Sequence, residues 1–411
     1  MARRLLVVSS AALLLFVACA PGASPSPTPG GGGPVTGTAT LGQWESSPSE
    51  RSALSSALAA FRVANPDLAV EQLTVAGNYR EQMQTRFGAR NPPDVFYVNA
   101  EYARDWADQG FLHPLDDYIA AAGIDTSAFF PDYLDIFKGS DGKIYGLPKD
   151  GNTIAMAYNT DLVSTPPATL EDLVAQATSL KGTGNLIAPM CLNPGLDRGL
   201  AFIYAQGGSL LNEDGTAEAI TTDASKAAVQ WYLDLFKDGL GMTAGDIGDG
   251  WCGEALGKGN VAFAFEGGWL YGYMNDQFPD TNWAFAEMPT GSSGEKVTIS
   301  YTAAYGIGAD SANKDQGWEV IEFLTSPAGM AVWTGGGIAV PSRTDVPVPQ
   351  GFDVIVKGAE YSRPGSGFMK GYNAVQDAFS AAFTLEIQNG TYSADAVVNA
   401  TAQAITQELG R

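Results

Sequence analysis

The stretch from residue 38 to residue 98, TATLGQWESSPSERSALSSALAAFRVANPDLAVEQLTVAGNYREQMQTRFGARNPPDVFYV, decides the fold. Its first seven residues, ending in Trp44, read as a strand. Ser47-Pro48-Ser49-Glu50 then joins an N-cap serine to a proline at the first helical position and an acid three residues on, and Leu54, Leu58 and Phe61 follow on one helical face. Asn65-Pro66 ends that helix, because a proline disfavours helical backbone at the residue before it. Residues 68–75 read as a second strand, 79–90 as a second helix, and 94–98, after Asn91-Pro92-Pro93, as a wholly buried third strand. Strand and helix in alternation predict a parallel sheet. Ligands of such sheets lie beyond the carboxyl ends of the strands, near the point where strand order reverses. That rule singles out Trp44 and Glu45 at the end of the first strand, and Asn99 and Glu101 past the end of the third.

The same alternation continues outward. It resumes with 204–208, a helix over 224–238, a strand over 261–265, then 283–288 and a helix over 314–324; two amphipathic helices, 372–383 and 393–409, close the chain on the surface. No short-period repeat interrupts it. At 411 residues, 45% apolar and 17% charged, the chain is too long for one core and too apolar for disorder, so two globular lobes are expected. The formal charge is -22, which makes nucleic acid and bare anionic membrane poor partners.

Residues 1–4 are a short basic segment and 5–18 an apolar run too short to span a bilayer comfortably, followed by Cys19. This resembles a bacterial lipoprotein signal, with Phe16 standing where leucine is usual and Leu15 one step earlier. Residues 20–34 hold only Pro, Gly, Ser and Thr apart from Ala20 and Ala23, a composition that makes a flexible tether and no core. Lipidation at Cys19 and an extracytoplasmic location, membrane-bound through that anchor alone, are therefore expected. The two remaining cysteines, Cys191 and Cys252, suggest one disulfide in an exported chain, with two buried thiols as the alternative. Their spacing fits no zinc or redox signature, and His113, read as a loop residue, is the only histidine, so multi-histidine metal sites and histidine-based triads have no material to work with. No metal and no cofactor are expected.

A string of short motifs runs through the chain in order: AAF at 59–61 leading to NP at 65–66, NPPDVF at 91–96, GFL at 110–112 leading to PLD at 114–116, DGKIYGLP at 141–148, YNTDL at 158–162, PPATLEDL at 166–173, GKGNVA at 257–262 and AVPSR at 339–343. Each is weak alone; eight in order resemble the carbohydrate-binding extracellular solute-binding proteins of ABC transporters, the group that contains maltose-binding protein. The resemblance spans essentially the whole mature length. It implies an α/β, two-lobed periplasmic-binding-protein fold, with the ligand in a cleft between the lobes and three crossover segments near 150–156, 302–306 and 338–342. Residues 1–18 would be the signal peptide and 19–37 the tether, 38–152 with 305–338 the first lobe, and 153–304 with 339–411 the second. It further implies a monomer that hands its ligand to membrane permease subunits and catalyses nothing.

A sugar presents apolar C–H faces and a girdle of hydroxyls, so its site needs aromatic platforms together with carboxylates, amides or a guanidinium. The family's sugar-stacking tryptophan corresponds to Trp269, which follows a strand and Glu266-Gly267-Gly268; Glu266 would accept hydroxyl hydrogen bonds or cap the next helix. Trp251, flanked by glycines, is a second platform or a loop anchor. From the first lobe come Asn99, Glu101, Trp44 and Glu45, and from the crossovers Asn152, Tyr301 and Tyr305. Arg363 would reach a hydroxyl pair or make a surface ion pair. Asp94, in the Pro-Pro-Asp turn, is read as structural. By the resemblance, the tryptophans of the second lobe point to an α-linked di- or oligosaccharide or a related glucoside. Three alternatives stand beside this: the same architecture holding another solute (ferric iron on Tyr301 and Tyr305, a polyamine, a glycerol phosphodiester), a secreted glycosidase built on a carboxylate pair, and a cell-surface adhesion module, which would need no hinge crossovers.

Overall fold

The computed structural model describes residues 35–45 and 47–410. The signal segment, Cys19 and the tether up to residue 34 lie outside the described residues. Among those described, no helix is long and apolar enough to cross a membrane, and no group of three or more His, Cys, Asp or Glu side chains is placed to hold a metal.

In chain order the strands are β1 (Gly37–Gln43), β2 (Leu68–Thr74), β3 (Val95–Asn99), β4 (Leu112–His113), β5 (Leu147–Thr153), β6 (Ala155–Asn159), β7 (Met190–Cys191), β8 (Gly241–Met242), β9 (Phe263–Glu266), β10 (Trp283–Ala286), β11 (Thr298–Gly308) and β12 (Ser362–Pro364). The opening stretch folds as its pattern predicts. Strands β2, β1 and β3 lie side by side and parallel, with Gly37 opposite Leu68 and Leu41 opposite Val95. The helix Pro48–Ala64 starts where Ser47 accepts a hydrogen bond from the Glu50 amide, and Leu54, Leu58 and Phe61 face the sheet. Every side chain from Val95 to Val98 is buried. Asp94 is structural, its carboxylate accepting from the Thr40 amide at 2.8 Å and from the Ser311 hydroxyl at 2.6 Å.

Two sheets build two lobes. One has strand order β12-β11-β3-β1-β2, with β4 and β5 also on β11; the other runs β10-β6-β9-β7-β8. The connections between them are short. Strand β5 passes through Ile154 into β6. Along β11, Ile299 packs into the second lobe's apolar cluster while Ala304, Tyr305 and Ile307 pack into the first lobe's. Val340 bridges to Gly151, with Ala339 and Val346 in the first cluster and Val340, Phe352 and Ile355 in a cluster under the second sheet. Three strand-like segments thus pass between the lobes side by side.

Three expectations are corrected. Residues 204–208 make no strand, because Leu196–Ala205 is a helix. That helix is buried almost all round, and an apolar run without 3.6 periodicity reads equally well as a buried strand. The closing helices, Tyr372–Asn389 and Ala394–Leu409, are not merely on the surface, since Tyr372, Val375, Phe379, Phe383, Val397 and Ile405 are core residues of the second lobe. His113, expected in a loop, pairs in β4 against Ile307.

Cys191 and Cys252 are bonded, with Cα atoms 5.3 Å apart, tying β7 to the start of the helix Cys252–Gly257.

Candidate functional site

A cleft of about 510 Å³ lies between the lobes, over the middle of the crossover strands. Its floor is Asn152, Thr302 and Ala303. Trp44, Asn99, Glu101, Lys149, Asp150 and Trp333 line it from the first lobe and crossovers, and Asp197, Arg198, Trp251, Trp269 and Tyr273 from the second, with Tyr301 between them.

The second-lobe wall is organised by one buried carboxylate. Oε2 of Glu266 accepts from Nη2 of Arg198 at 2.7 Å and from the indole Nε1 of Trp269 at 3.0 Å, which sets the guanidinium 5.1 Å from the indole centre. Burial pushes the Glu266 carboxyl up, and the Arg198 charge opposes that. For Arg198 burial disfavours the charge, but Glu266 and Asp197 more than offset it and hold the guanidinium above its ordinary range. Two other bonds fix Arg198: Nε to the Phe265 carbonyl at 2.9 Å and Nη1 to the Asp197 carbonyl at 2.8 Å. The Tyr301 hydroxyl donates to that same Asp197 carbonyl. Trp269 folds back over Gly267, where a Cβ would come within 2.4 Å of the ring; any other residue there would displace the indole. The amide of Gly268 donates to Oδ1 of Asn152 at 2.9 Å, so a crossover residue holds the loop that leads into Trp269.

The first-lobe wall is a cation among rings. Nζ of Lys149 sits 4.1 Å from the Trp333 ring centre, 4.7 Å from Tyr97 and 6.0 Å from Trp44, and donates to Oδ2 of Asp150 at 2.6 Å. The same oxygen accepts from the Trp333 indole at 2.9 Å. Between the walls, the Glu101 carboxylate accepts a hydrogen bond from no described residue, and burial followed by the charge of Asp197 pushes its pKa up. Glu101 stands in the first turn of the helix Ala100–Asp108, which Asn99 caps by accepting from the Glu101 amide at 2.9 Å.

Of the residues expected at a site, the structure brings Trp44, Asn99, Glu101, Asn152, Trp251, Trp269 and Tyr301 to the cleft. Four stand elsewhere. Glu266 is buried behind Trp269 and saturated by Arg198, so it orients the wall from beneath. Tyr305 is buried in the first-lobe core against Tyr97: alternation puts Tyr301 and Tyr305 on one face of β11, but four residues further on the strand has run into the first lobe, so only Tyr301 meets the cleft. Glu45 pairs with Arg51 at the helix start. Arg363 is exposed, 3.4 Å from Glu295 and over the Tyr204 ring. Sequence reasoning missed Lys149, Asp150, Asp197, Arg198, Tyr273 and Trp333. Lys149 and Asp150 precede Asn152 in the same crossover, and Tyr273 lies four residues from Trp269, one helical turn on, so the rules that found their neighbours reach these three. Nothing local marks Arg198.

Residues 45–331 match the family described as bacterial extracellular solute-binding protein. A binding protein of Brucella abortus is 27% identical over 281 residues, 64% of this chain and 66% of that one. The lactose-binding protein of Rhizobium radiobacter is 27% identical over 256 residues, 56% of each chain. Both matches thus span under two thirds of the relative's own length. The fold is shared more widely. An ABC substrate-binding protein of Listeria monocytogenes in complex with cycloalternan aligns with a TM-score of 0.82 at 21% identity, over 92% of this chain and 100% of that one. The GacH receptor of Streptomyces glaucescens, solved unliganded and with acarbose, aligns at 0.79 and 23% over 92% and 99%. With more than half of its length matched and the two-lobed architecture in place, this chain belongs to the bacterial extracellular solute-binding proteins.

Proposed function

We propose that the chain captures a carbohydrate, an α-linked di- or oligosaccharide or related glucoside, in this cleft and delivers it to an ABC importer, acting as a monomer held outside the cytoplasmic membrane by a lipid on Cys19. One observation carries the reading: indole rings stand on both lobes of one cleft, Trp44 on the first and Trp251 and Trp269 on the second, with the Glu101 carboxylate, which accepts no hydrogen bond from a described residue, between them. Apolar platforms flanking a hydrogen-bond acceptor match the two faces and the rim of a sugar ring. The names of similar proteins support the same class: besides cycloalternan, acarbose and lactose, a Thermotoga maritima protein of this fold is solved with maltose. The proposed lobes are 38–152 with 305–338 and 153–304 with 339–411; the two main apolar clusters support this division, while Ala339 and Val346 pack into the first cluster and β12 pairs in the first sheet.

A thermal-shift screen of the soluble domain against maltose, maltotriose, lactose, raffinose and their monosaccharides tests this. A ligand at one hundred times its dissociation constant stabilises by about 2.7 kcal/mol, enough for a clear rise in melting temperature. A rise with one di- or oligosaccharide and none with the monosaccharides is expected. No rise with any sugar, alongside a rise with spermidine or glycerophosphodiesters, would overturn the carbohydrate assignment.

A further inference from the structure

We infer that the Cys191–Cys252 bridge is a positioning device for the cleft: it holds the Trp251 indole at a fixed place relative to Trp269. Trp251 immediately precedes Cys252 and is the N-cap of the helix Cys252–Gly257, whose six residues are too few to be helical on their own. The bridge joins that helix start to β7, and β7 pairs with β9, the strand that ends in Glu266 just before Trp269. Both second-lobe platforms are thereby hung on one pair of adjacent strands. Without the bridge the segment before Trp251 keeps Ile247 in the apolar cluster, the Asp249 amide on the Ala244 carbonyl at 2.9 Å, and side-chain ties, Lys258 and Asn260 on Asp249 at 2.6 and 2.8 Å and the Gly250 amide on Glu254 at 2.8 Å, but no covalent link to β7. The indole depends closely on this backbone: it lies over Gly253, where a Cβ would come within 2.3 Å of the ring, and it meets Tyr273 edge to face at 4.7 Å. A platform held in its binding position before the ligand arrives loses less freedom on binding, so the bridge acts on affinity through Trp251.

The affinity part of this rests on the carbohydrate reading; the positioning part does not, and the test separates them. Protein labelled with 5-fluorotryptophan is compared with and without the double change Cys191→Ala/Cys252→Ala, the Trp251 fluorine signal being assigned by its loss in Trp251→Phe. We expect the Trp251 signal to shift and sharpen while those of Trp44 and Trp333 stay in place. An unmoved Trp251 signal overturns the inference. Calorimetric titration with maltotriose should show affinity falling about fivefold on loss of the bridge, and less than about 1.5-fold in a Trp251→Ala background, since positioning has no effect on an absent ring. Equal losses in both backgrounds mean a merely structural bridge and overturn the inference. Binding of no sugar by the parent protein refutes the carbohydrate reading and leaves the fluorine signal to decide. If the double variant does not fold, Gly253→Ala keeps the bridge and displaces the ring directly: it must move the Trp251 signal, and it must lower affinity only when Trp251 is present. Failure of either contradicts the inference.

Discussion

Truncating Trp269 to alanine separates a ligand platform from a core residue. The indole is half-buried, its outer face open to the cleft, and its one hydrogen bond goes to Glu266 at 3.0 Å. Loss of a stacking aromatic at a binding hot spot costs about 2–4 kcal/mol, and each 1.4 kcal/mol is tenfold, so sugar affinity should fall by about 30-fold to several hundred-fold. The cost to the fold should be smaller. Glu266 keeps Arg198 at 2.7 Å and is not left unpaired, and truncating a half-buried ring should cost about 2 kcal/mol, against 3–5 for a fully buried one. Calorimetric titration and thermal melting of the same preparation read both quantities. Trp269→Phe is the control: it loses the same N–H but keeps a ring, and should retain most of the affinity. An alanine variant that binds normally while its melting temperature collapses would refute the placement of Trp269 in the site.

Further outcomes are expected. Glu266→Ala removes the closer of the two carboxylates on Arg198, leaving Asp197 at 3.7 Å, and should destabilise by about 3 kcal/mol in urea unfolding; a loss below about 1 kcal/mol contradicts the pairing described. Burial and Asp197 raise the folded pKa of Glu101 above its unfolded value, so its ionised form is penalised in the folded state. The penalty is absent below the unfolded pKa and complete above the folded one. Glu101→Gln should therefore raise the melting temperature of the sugar-free protein near about pH 7 and leave it unchanged near about pH 4, and a uniform effect at both would contradict it. Closure of hinged lobes around ligand is general among periplasmic binding proteins, so small-angle scattering should give a smaller radius of gyration with a saturating sugar; an unchanged radius counts against closure.

How much of this was legible before the fold was known depends on how local each signal is. The β1–β3 unit was readable because its caps, proline and helical periodicity act within a few residues, and the structure reproduces the Ser47 cap and the parallel register. Trp269, Trp251 and Glu101 were reachable because ends of strands and glycine-flanked loops face clefts. Arg198 was not: its role comes from Phe265, Glu266 and Asp197, and two of those partners lie more than sixty residues away in the chain. Tyr305 failed for a related reason. How far β11 has run into the first lobe, where Tyr305 packs on Tyr97, decides which tyrosine meets the cleft, and that is not written in the tyrosines themselves. Burial explains Glu266, whose position after a strand was read correctly but whose oxygen is already taken by two donors.

The most direct test is a crystal structure of the complex with the sugar that gives the largest thermal shift. The account predicts a sugar ring against the face of the Trp269 indole, a hydroxyl donating to Glu101, and further residues of the saccharide extending toward Trp251 or Trp44. A ligand seated elsewhere on the protein, or one in the cleft that touches neither Trp269 nor Glu101, would contradict it.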